Sequence, residues 1–190
     1  MDLSASTLRL RREQVAGMNI HYIMWSLDYF LDAQQRLGFK TIELWAAEPH
    51  VTLDHTGYFE ADELRRKIES RGLSVSSLCP ENVVYPWQYA ARKPLHAQRS
   101  LAYFKHGIEL AEVLGAPYMS INSGWGDWDE DREEAWKRSA EHLAILADYA
   151  GEHGVTLCME SLRPEESNLV VTLADARRML DQVASPHLTP

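Results

Sequence analysis

The sequence predicts an α/β fold in which parallel strands alternate with crossover helices. Three observations predict it. Short apolar runs recur between longer segments of helical spacing, a glycine stands just after each of the first four helical segments, and the connections on the two sides of each strand differ sharply in length and character.

The first strand is read in 15–22 (VAGMNIHY), centred on 17–21, and the second in 41–45 (TIELW), with helical spacing from Ser26 to Leu37 between them. Asp62 to Arg71 reads as a charged helix and 73–79 (LSVSSLC) as the third strand. Residues 96–114 then place Leu101, Phe104, Ile108, Ala111 and Leu114 on one helical face, and 117–122 (PYMSIN) follow as the fourth strand. The helix 131–152 repeats that spacing with Trp136, Ala140, Leu143, Ala147 and Ala150 before the fifth strand, 155–160 (VTLCME). A last helix covers about 173–183. Gly38, Gly72, Gly115 and Gly154 each stand where a left-handed residue closes a helix. Strand-to-helix alternation implies parallel pairing in the order of the chain, and the nearly uninterrupted apolar character of the strands predicts burial on both faces.

Helix-to-strand turns are short, whereas the strand-to-helix stretches 46–60, 80–95, 123–130 and 161–172 are long and rich in Trp, His, Pro and acids. A (β/α)8 TIM barrel builds its chemistry from such loops at the carboxyl ends of its strands. A doubly wound sheet also binds ligands there, but the chain has no GxGxxG and no GxxxxGK[ST]. Five units occupy the 190 residues, so eight need roughly 300. The expectation is therefore an N-terminal extension (1–14) followed by the first five-eighths of a single barrel domain (15–190), stopping about where a sixth strand begins. Open strand edges and an apolar inner face make a homo-oligomer the expected state.

Composition excludes other classes. With 45% apolar and 25% charged residues the chain is neither disordered nor fibrous. A net charge of −9 opposes a polyphosphate backbone, so no nucleic-acid partner is expected. Two cysteines, Cys79 and Cys158, do not make a disulfide scaffold. A start broken by Arg9, Arg11 and Arg12 is not expected to be a signal peptide, and no apolar run approaches the roughly 18 residues of a membrane span. A cytoplasmic location without membrane contact is expected.

Glu160 ends the fifth strand, where a carboxylate can ligate a divalent metal or move a proton; a rim acid paired with Arg163 is an equal reading of the same position. Glu166 lies six residues on in RPEESN, where a lone glutamate is ordinarily solvated. His21 closes the first strand and His50 follows the second, both on the functional side of a barrel. Trp45, Tyr85, Trp87, Trp125 and Trp128 fall at strand ends or in the same loops, where they can line a sugar pocket or pack a core. Asn122, at the end of the fourth strand, joins His21, Trp45, His50, Tyr85 and Glu166 as candidate substrate-binding residues. Neither HExxH nor a Cys/His set of zinc spacing occurs.

IELWAAEPH (42–50), PENVVYPWQY (80–89) and MESLRPEESNLV (159–170) resemble the sugar isomerase/epimerase branch of the xylose isomerase-like barrels, fructoselysine 3-epimerase-type proteins above all. The resemblance runs from about residue 15 to 190 and is less specific to one substrate than to the branch. It implies a metal-dependent isomerase or epimerase acting on a small sugar, with Glu, Asp, His and Glu ligands from strands five to eight. Glu160 matches the first ligand, which in relatives is also one of an acid/base pair, and Glu166 matches an acid that contacts substrate near its carbonyl end. The other three ligands have no counterpart in 1–190, so this chain alone is expected to bind metal weakly and turn over no sugar.

The chemistry implied is proton movement beside a ketose carbonyl through an enediolate, which a chelated cation stabilises. Oxygen-rich ligation suits Mn2+, Co2+ or Mg2+. Two carboxylates on opposite faces give epimerisation at C3, and one shuttling between C1 and C2 gives aldose–ketose isomerisation. An endonuclease IV-like apurinic-site nuclease shares the barrel and the strand-five glutamate. It needs histidines after strands three and four, where this chain has Cys79-Pro80-Glu81 and Asn122-Ser123-Gly124. A non-catalytic sugar-binding or assembly fragment is the third reading.

Overall fold

The computed structural model of the chain describes residues 11, 14–83 and 87–190. A two-residue strand β1 (Gly17–Met18) leads into a 3-10 turn (Asn19–Tyr22) and helix α1 (Leu27–Leu37). Strand β2 (Thr41–Ala46) is followed by a small hairpin, β3 (Leu53–Asp54) and β4 (Gly57–Tyr58), and then by α2 (Ala61–Glu69). The order continues β5 (Ser74–Pro80), α3 (Pro94–Val113), β6 (Tyr118–Ile121), α4 (Arg132–Glu152), β7 (Thr156–Met159), α5 (Leu173–Val183) and β8 (Leu188–Thr189).

Six strands form one sheet in the order β1-β2-β5-β6-β7-β8, and every pairing in it is parallel. Because spatial order never departs from chain order, the sheet lacks the reversal at which a doubly wound sheet opens its binding crevice. The five expected strands are present, and Leu188–Thr189 adds a sixth beside β7. Two local expectations change. The first strand ends at Met18 because the Asn19 side chain takes over pairing: its Oδ1 accepts from Trp45 N–H at 2.7 Å and its Nδ2 donates to Trp45 C=O at 3.0 Å. His21 therefore sits in the 3-10 turn rather than at a strand end. The stretch 46–60, expected as plain loop, holds the antiparallel β3–β4 pair, tightened by Asp54 accepting from Thr56 N–H and Oγ1–H.

Register explains the core. Leu44, Leu78, Met119, Leu157 and Leu188 lie in one row across the sheet, all buried. The helices cover that face with Phe104, Ile108 and Ala111 of α3 and Trp136, Leu143 and Ala147 of α4, all buried at the expected spacing. The opposite face differs from expectation. Its rows run Glu43–Ser77–Tyr118–Thr156 and Trp45–Cys79–Ser120–Cys158–Thr189, so the strands alternate instead of being apolar throughout. The inner face is thus largely polar, not apolar, because period-2 alternation sends the Ser, Thr, Cys and Glu of each strand to one side.

Gly38, Gly72, Gly115 and Gly154 take φ between 68° and 77°, the left-handed region in which a Cβ is costly. Ser26, Asp131 and the Thr172–Asp175 capping box close the starts of α1, α4 and α5. Among the described residues no helix is long and apolar enough to cross a membrane.

Candidate functional site

The carboxyl ends of the strands gather the long loops, and Glu160 stands immediately after β7 on that rim. Its N–H donates to Ile121 C=O at 2.8 Å, which extends the β6–β7 pairing by one residue and fixes where the side chain leaves the sheet. Glu160 is exposed, and its carboxylate has no ion-pair partner among the described residues. Arg163, the partner that a rim-acid reading requires, bonds Glu166 at 2.8 Å instead. That leaves Glu160 as a hard oxygen donor with its lone pairs facing solvent.

Below it lies a second carboxylate that sequence reading passes over. Glu43, midway along β2, is half-buried on the inner face, and its carboxyl is held above the ordinary range of 4.5 by burial and then by the negative charge of Glu160. The signal was available: Glu43 and Trp45 are two apart in TIELW and so share a face. The same two acids bear on Cys79, whose thiol burial first, and Glu43 and Glu160 next, push up to about 12. Cys158 is raised by burial and Glu43. Both cysteines are free thiols, and neither supplies a thiolate at neutral pH.

The other candidates are distributed unevenly. Glu166 lines a cavity with Trp125, Trp128, Arg163 and Asn168, and Trp128 is 85% exposed at its edge. Trp45 is buried, and its indole N–H donates to Glu81 Oε2 at 3.1 Å, tying β2 to the loop after β5. Asn122 is buried with its amide engaged: Nδ2 donates to the Asn82 carbonyl and side chain at 3.0 and 2.7 Å, and Oδ1 accepts from Gly124 N–H. Both ring nitrogens of His50 are also engaged, Nδ1 with Asn19 Nδ2 at 3.0 Å and Nε2 with Trp25 C=O at 2.8 Å. Asn19 can only donate there and the carbonyl only accept, so the proton is assigned to Nε2. His21 is exposed and lines a different cavity, against Tyr22, Trp25, Tyr29 and Arg36. Tyr85 lies outside the described residues. Trp87 stacks on Tyr103, ring centroids 4.2 Å apart, and serves packing.

Two polar clamps shape this rim, and sequence reading missed both. Asn19 joins the first turn to β2 and His50, and Asn168 brackets Gly126 with a donated and an accepted hydrogen bond of 2.9 and 2.8 Å. The second joins the loop after β6 to the loop after β7, holding Trp125 and Trp128 beside Glu166. Among the described residues no three His, Cys, Asp or Glu side chains converge as a metal set. The chemistry on offer is one exposed carboxylate above a second, raised one, on a polar wall.

Comparison with known proteins bears on that arrangement. Residues 31–190 match the family described as xylose isomerase-like TIM barrel. Fructoselysine 3-epimerase of Shigella flexneri is 28% identical over 159 residues, covering 84% of this chain and 57% of the relative. Among solved structures, an apo 3-keto-D-glucoside 4-epimerase from E. coli superposes with a TM-score of 0.75 at 17% identity, over 91% of this chain and 65% of that one. An L-ribulose 3-epimerase gives 0.72 at 25% identity, over 85% of this chain and 52% of that one. The chain thus spans a little over half the length of the curated relative it matches.

Proposed function

We propose, on the premise that this chain belongs to the xylose isomerase-like TIM barrel family, that the whole protein is a divalent-metal-dependent sugar isomerase or epimerase of the ketose 3-epimerase type. The observation that carries the proposal is Glu160, a carboxylate on the rim with no ion-pair partner among the described residues. The likeness to fructoselysine 3-epimerase supports the substrate class. Residues 15–190 belong to one barrel domain, preceded by an extension at 1–14, and a cytoplasmic homo-oligomer is the proposed setting.

The donor set can be tested against a cation. Exposed and half-buried carboxylates are hard ligands, suited to Mn2+, Co2+ or Mg2+, and both thiols are held protonated, which disfavours a thiolate-bound metal. Glu160 would hold the cation, with ligands beyond those the described residues bring together completing the set. Bound, the cation would supply positive charge to the oxyanion of an enediolate.

The chain's own part is positioning and proton transfer. Glu160 moves the proton on one face of the carbon beside the ketose carbonyl; epimerisation at C3 then needs a second carboxylate to deliver a proton on the opposite face, whereas aldose–ketose isomerisation needs Glu160 to deliver it to the neighbouring carbon. Glu166, fixed by Arg163, sits at the loop wall where it can accept a hydroxyl hydrogen bond, and Trp125 and Trp128 offer aromatic surface to a sugar ring. Glu43, its carboxyl raised by burial and then by the charge of Glu160, lies on the inner wall as a neighbouring carboxyl group.

Incubating the whole protein with Mn2+ and a panel of ketoses in deuterated water should incorporate deuterium at C3 or C1. Glu160→Gln, which keeps size and removes charge, should lower that exchange by roughly 10^2–10^4 while leaving the fold intact. Wild-type exchange in Glu160→Gln would return Glu160 to a structural rim acid. Absence of exchange with every ketose, together with cleavage of abasic DNA, would favour the nuclease.

A further inference from the structure

The cavity that Glu166 lines with Trp125, Trp128 and Arg163 lies between two loops of irregular backbone, 123–130 after β6 and 161–172 after β7. Side chains supply the bonds between them. Asn168 holds both polar groups of Gly126: its Oδ1 accepts from Gly126 N–H at 2.8 Å and its Nδ2 donates to Gly126 C=O at 2.9 Å. One amide thus pairs with a backbone residue as a neighbouring strand would. Asn168 lies two residues after Glu166, and Gly126 lies next to Trp125 and two before Trp128. The link therefore joins the two walls beside the carboxylate of one and the indoles of the other.

The link is braced from both sides. Arg132, the first residue of α4, donates through Nε to Asn168 C=O at 2.7 Å and through Nη2 to Leu169 C=O at 2.6 Å. Ser167 Oγ donates to Gly124 C=O at 2.6 Å, and Val170 N–H donates to Ser123 Oγ at 3.0 Å. Gly126 is buried against α4, and a Cβ there would stand 2.4 Å from Ala135 Cβ, far inside carbon–carbon contact. The missing side chain is what lets the loop sit this close to the helix.

Glu160 is placed by a different device. Its N–H bonds Ile121 C=O at 2.8 Å and so belongs to the β6–β7 pairing, which does not pass through Asn168. The molecule thus fixes the proton-moving carboxylate by the sheet and the wall of the cavity by a side-chain clamp.

We infer that Asn168 is a positioning residue that sets affinity for the sugar, acting through Glu166, Trp125 and Trp128 by holding the loop of the indoles at a fixed separation from the loop of the carboxylate. The inference rests on the epimerase reading and adds to it a division of labour. Without the clamp, binding has to order two loops that are now ordered beforehand, which weakens substrate and transition state alike.

The test uses the whole protein with Mn2+ and steady-state turnover of the ketose that the wild type accepts. Asn168→Ala should raise KM by about tenfold, the size of one or two net hydrogen bonds, and change kcat by less than about threefold. The indole N–H resonances of Trp125 and Trp128 should shift in this variant before any sugar is added. Gly126→Ala leaves the Asn168 amide in place but drives a carbon into Ala135, so it should raise KM in the same way. Adding Ala135→Gly removes the opposing carbon and should bring KM back toward the wild-type value, although glycine weakens the helix; a loss of folding would instead be made worse. Should Asn168→Ala fail to fold, the Gly126 and Ala135 variants decide alone. An active wild type whose KM is unmoved by Asn168→Ala, or by Gly126→Ala, overturns the inference and leaves the epimerase reading standing. A fall in kcat at constant KM also overturns it, since the clamp would then serve proton transfer. A wild type that turns over no ketose removes the epimerase reading, and this inference with it.

Discussion

Asn19→Ala tests the argument that a side chain, not a strand, completes the edge of β2. In a parallel strand the N–H and C=O of one residue point to the same neighbour, and both of Trp45's are satisfied by Asn19, at 2.7 and 3.0 Å. Asn19 is fully buried, so truncation leaves two backbone groups without partners where water is excluded. Each costs about 1–3 kcal/mol, and His50 also loses its donor, giving an expected destabilisation of about 3–5 kcal/mol. Against a typical domain stability of roughly 5–15 kcal/mol this is a large fraction. Urea unfolding followed by far-UV circular dichroism avoids the confounding signal of six tryptophans. With m near 2 kcal/mol/M, the midpoint should fall by about 1.5–2.5 M. Asn19→Asp retains an acceptor for Trp45 N–H but turns the donor into an oxygen facing a carbonyl, so at neutral pH it should be no more stable than Asn19→Ala. Gln35→Ala removes an exposed bond to Arg71 C=O and should cost no more than about 0.5 kcal/mol. An Asn19→Ala midpoint within experimental error of wild type, at unchanged m, would refute the reasoning.

Glu43→Gln should stabilise the chain at pH 7. Because the folded carboxyl is raised above 4.5, native Glu43 contributes stability that is complete below that pH and is lost as pH rises through the folded value, so the variant's gain in Tm should vanish near pH 4; an equal gain at both pH values would contradict it. Cys79, raised to about 12, should be about 10^-4 thiolate at pH 8 against about 10^-1 for an ordinary thiol of 9.0, so mass spectrometry should show alkylation by iodoacetamide slower by about 10^3 in folded than in unfolded protein. Ala184 ends α5 at φ 52°, the left-handed conformation that glycine fills after the first four helices; Ala184→Gly should raise the urea midpoint, by up to about 1 kcal/mol in stability, and a fall would show that the strain is absent.

What the sequence made legible was local. Glycines at left-handed positions and helical spacing of apolar residues are each set within one turn, so Leu27–Leu37 and Arg132–Glu152 fall within a residue of their expected bounds. The Asn19 clamp depends on partners 26 and 31 residues away and reads in sequence as a polar interruption of an apolar run. The β3–β4 hairpin has two residues per strand, too few for a periodic signal, and is held in part by His106 Nδ1 bonding Asp54 C=O at 3.1 Å. His50 and Asn122 could be placed on the rim from sequence, but that their polar atoms are already engaged by Asn19, Trp25, Asn82 and Gly124 is information only the fold contains.

The inner face carries the larger lesson, because an error of classification hid chemistry there. Counting Ser, Cys and Thr as neutral members of apolar strands makes LSVSSLC and VTLCME look buried on both sides. Register instead lines up Ser77, Ser120, Cys79, Cys158 and Thr156 with Glu43 on one surface. A TIM barrel ordinarily fills its interior with Val, Ile and Leu. Small polar residues leave space and hydrogen-bonding capacity, and they let Glu43 remain half-buried, its carboxyl raised by that burial, instead of excluded altogether. The same surface weakens one argument for self-association: a polar wall gains little from burial against a copy of itself.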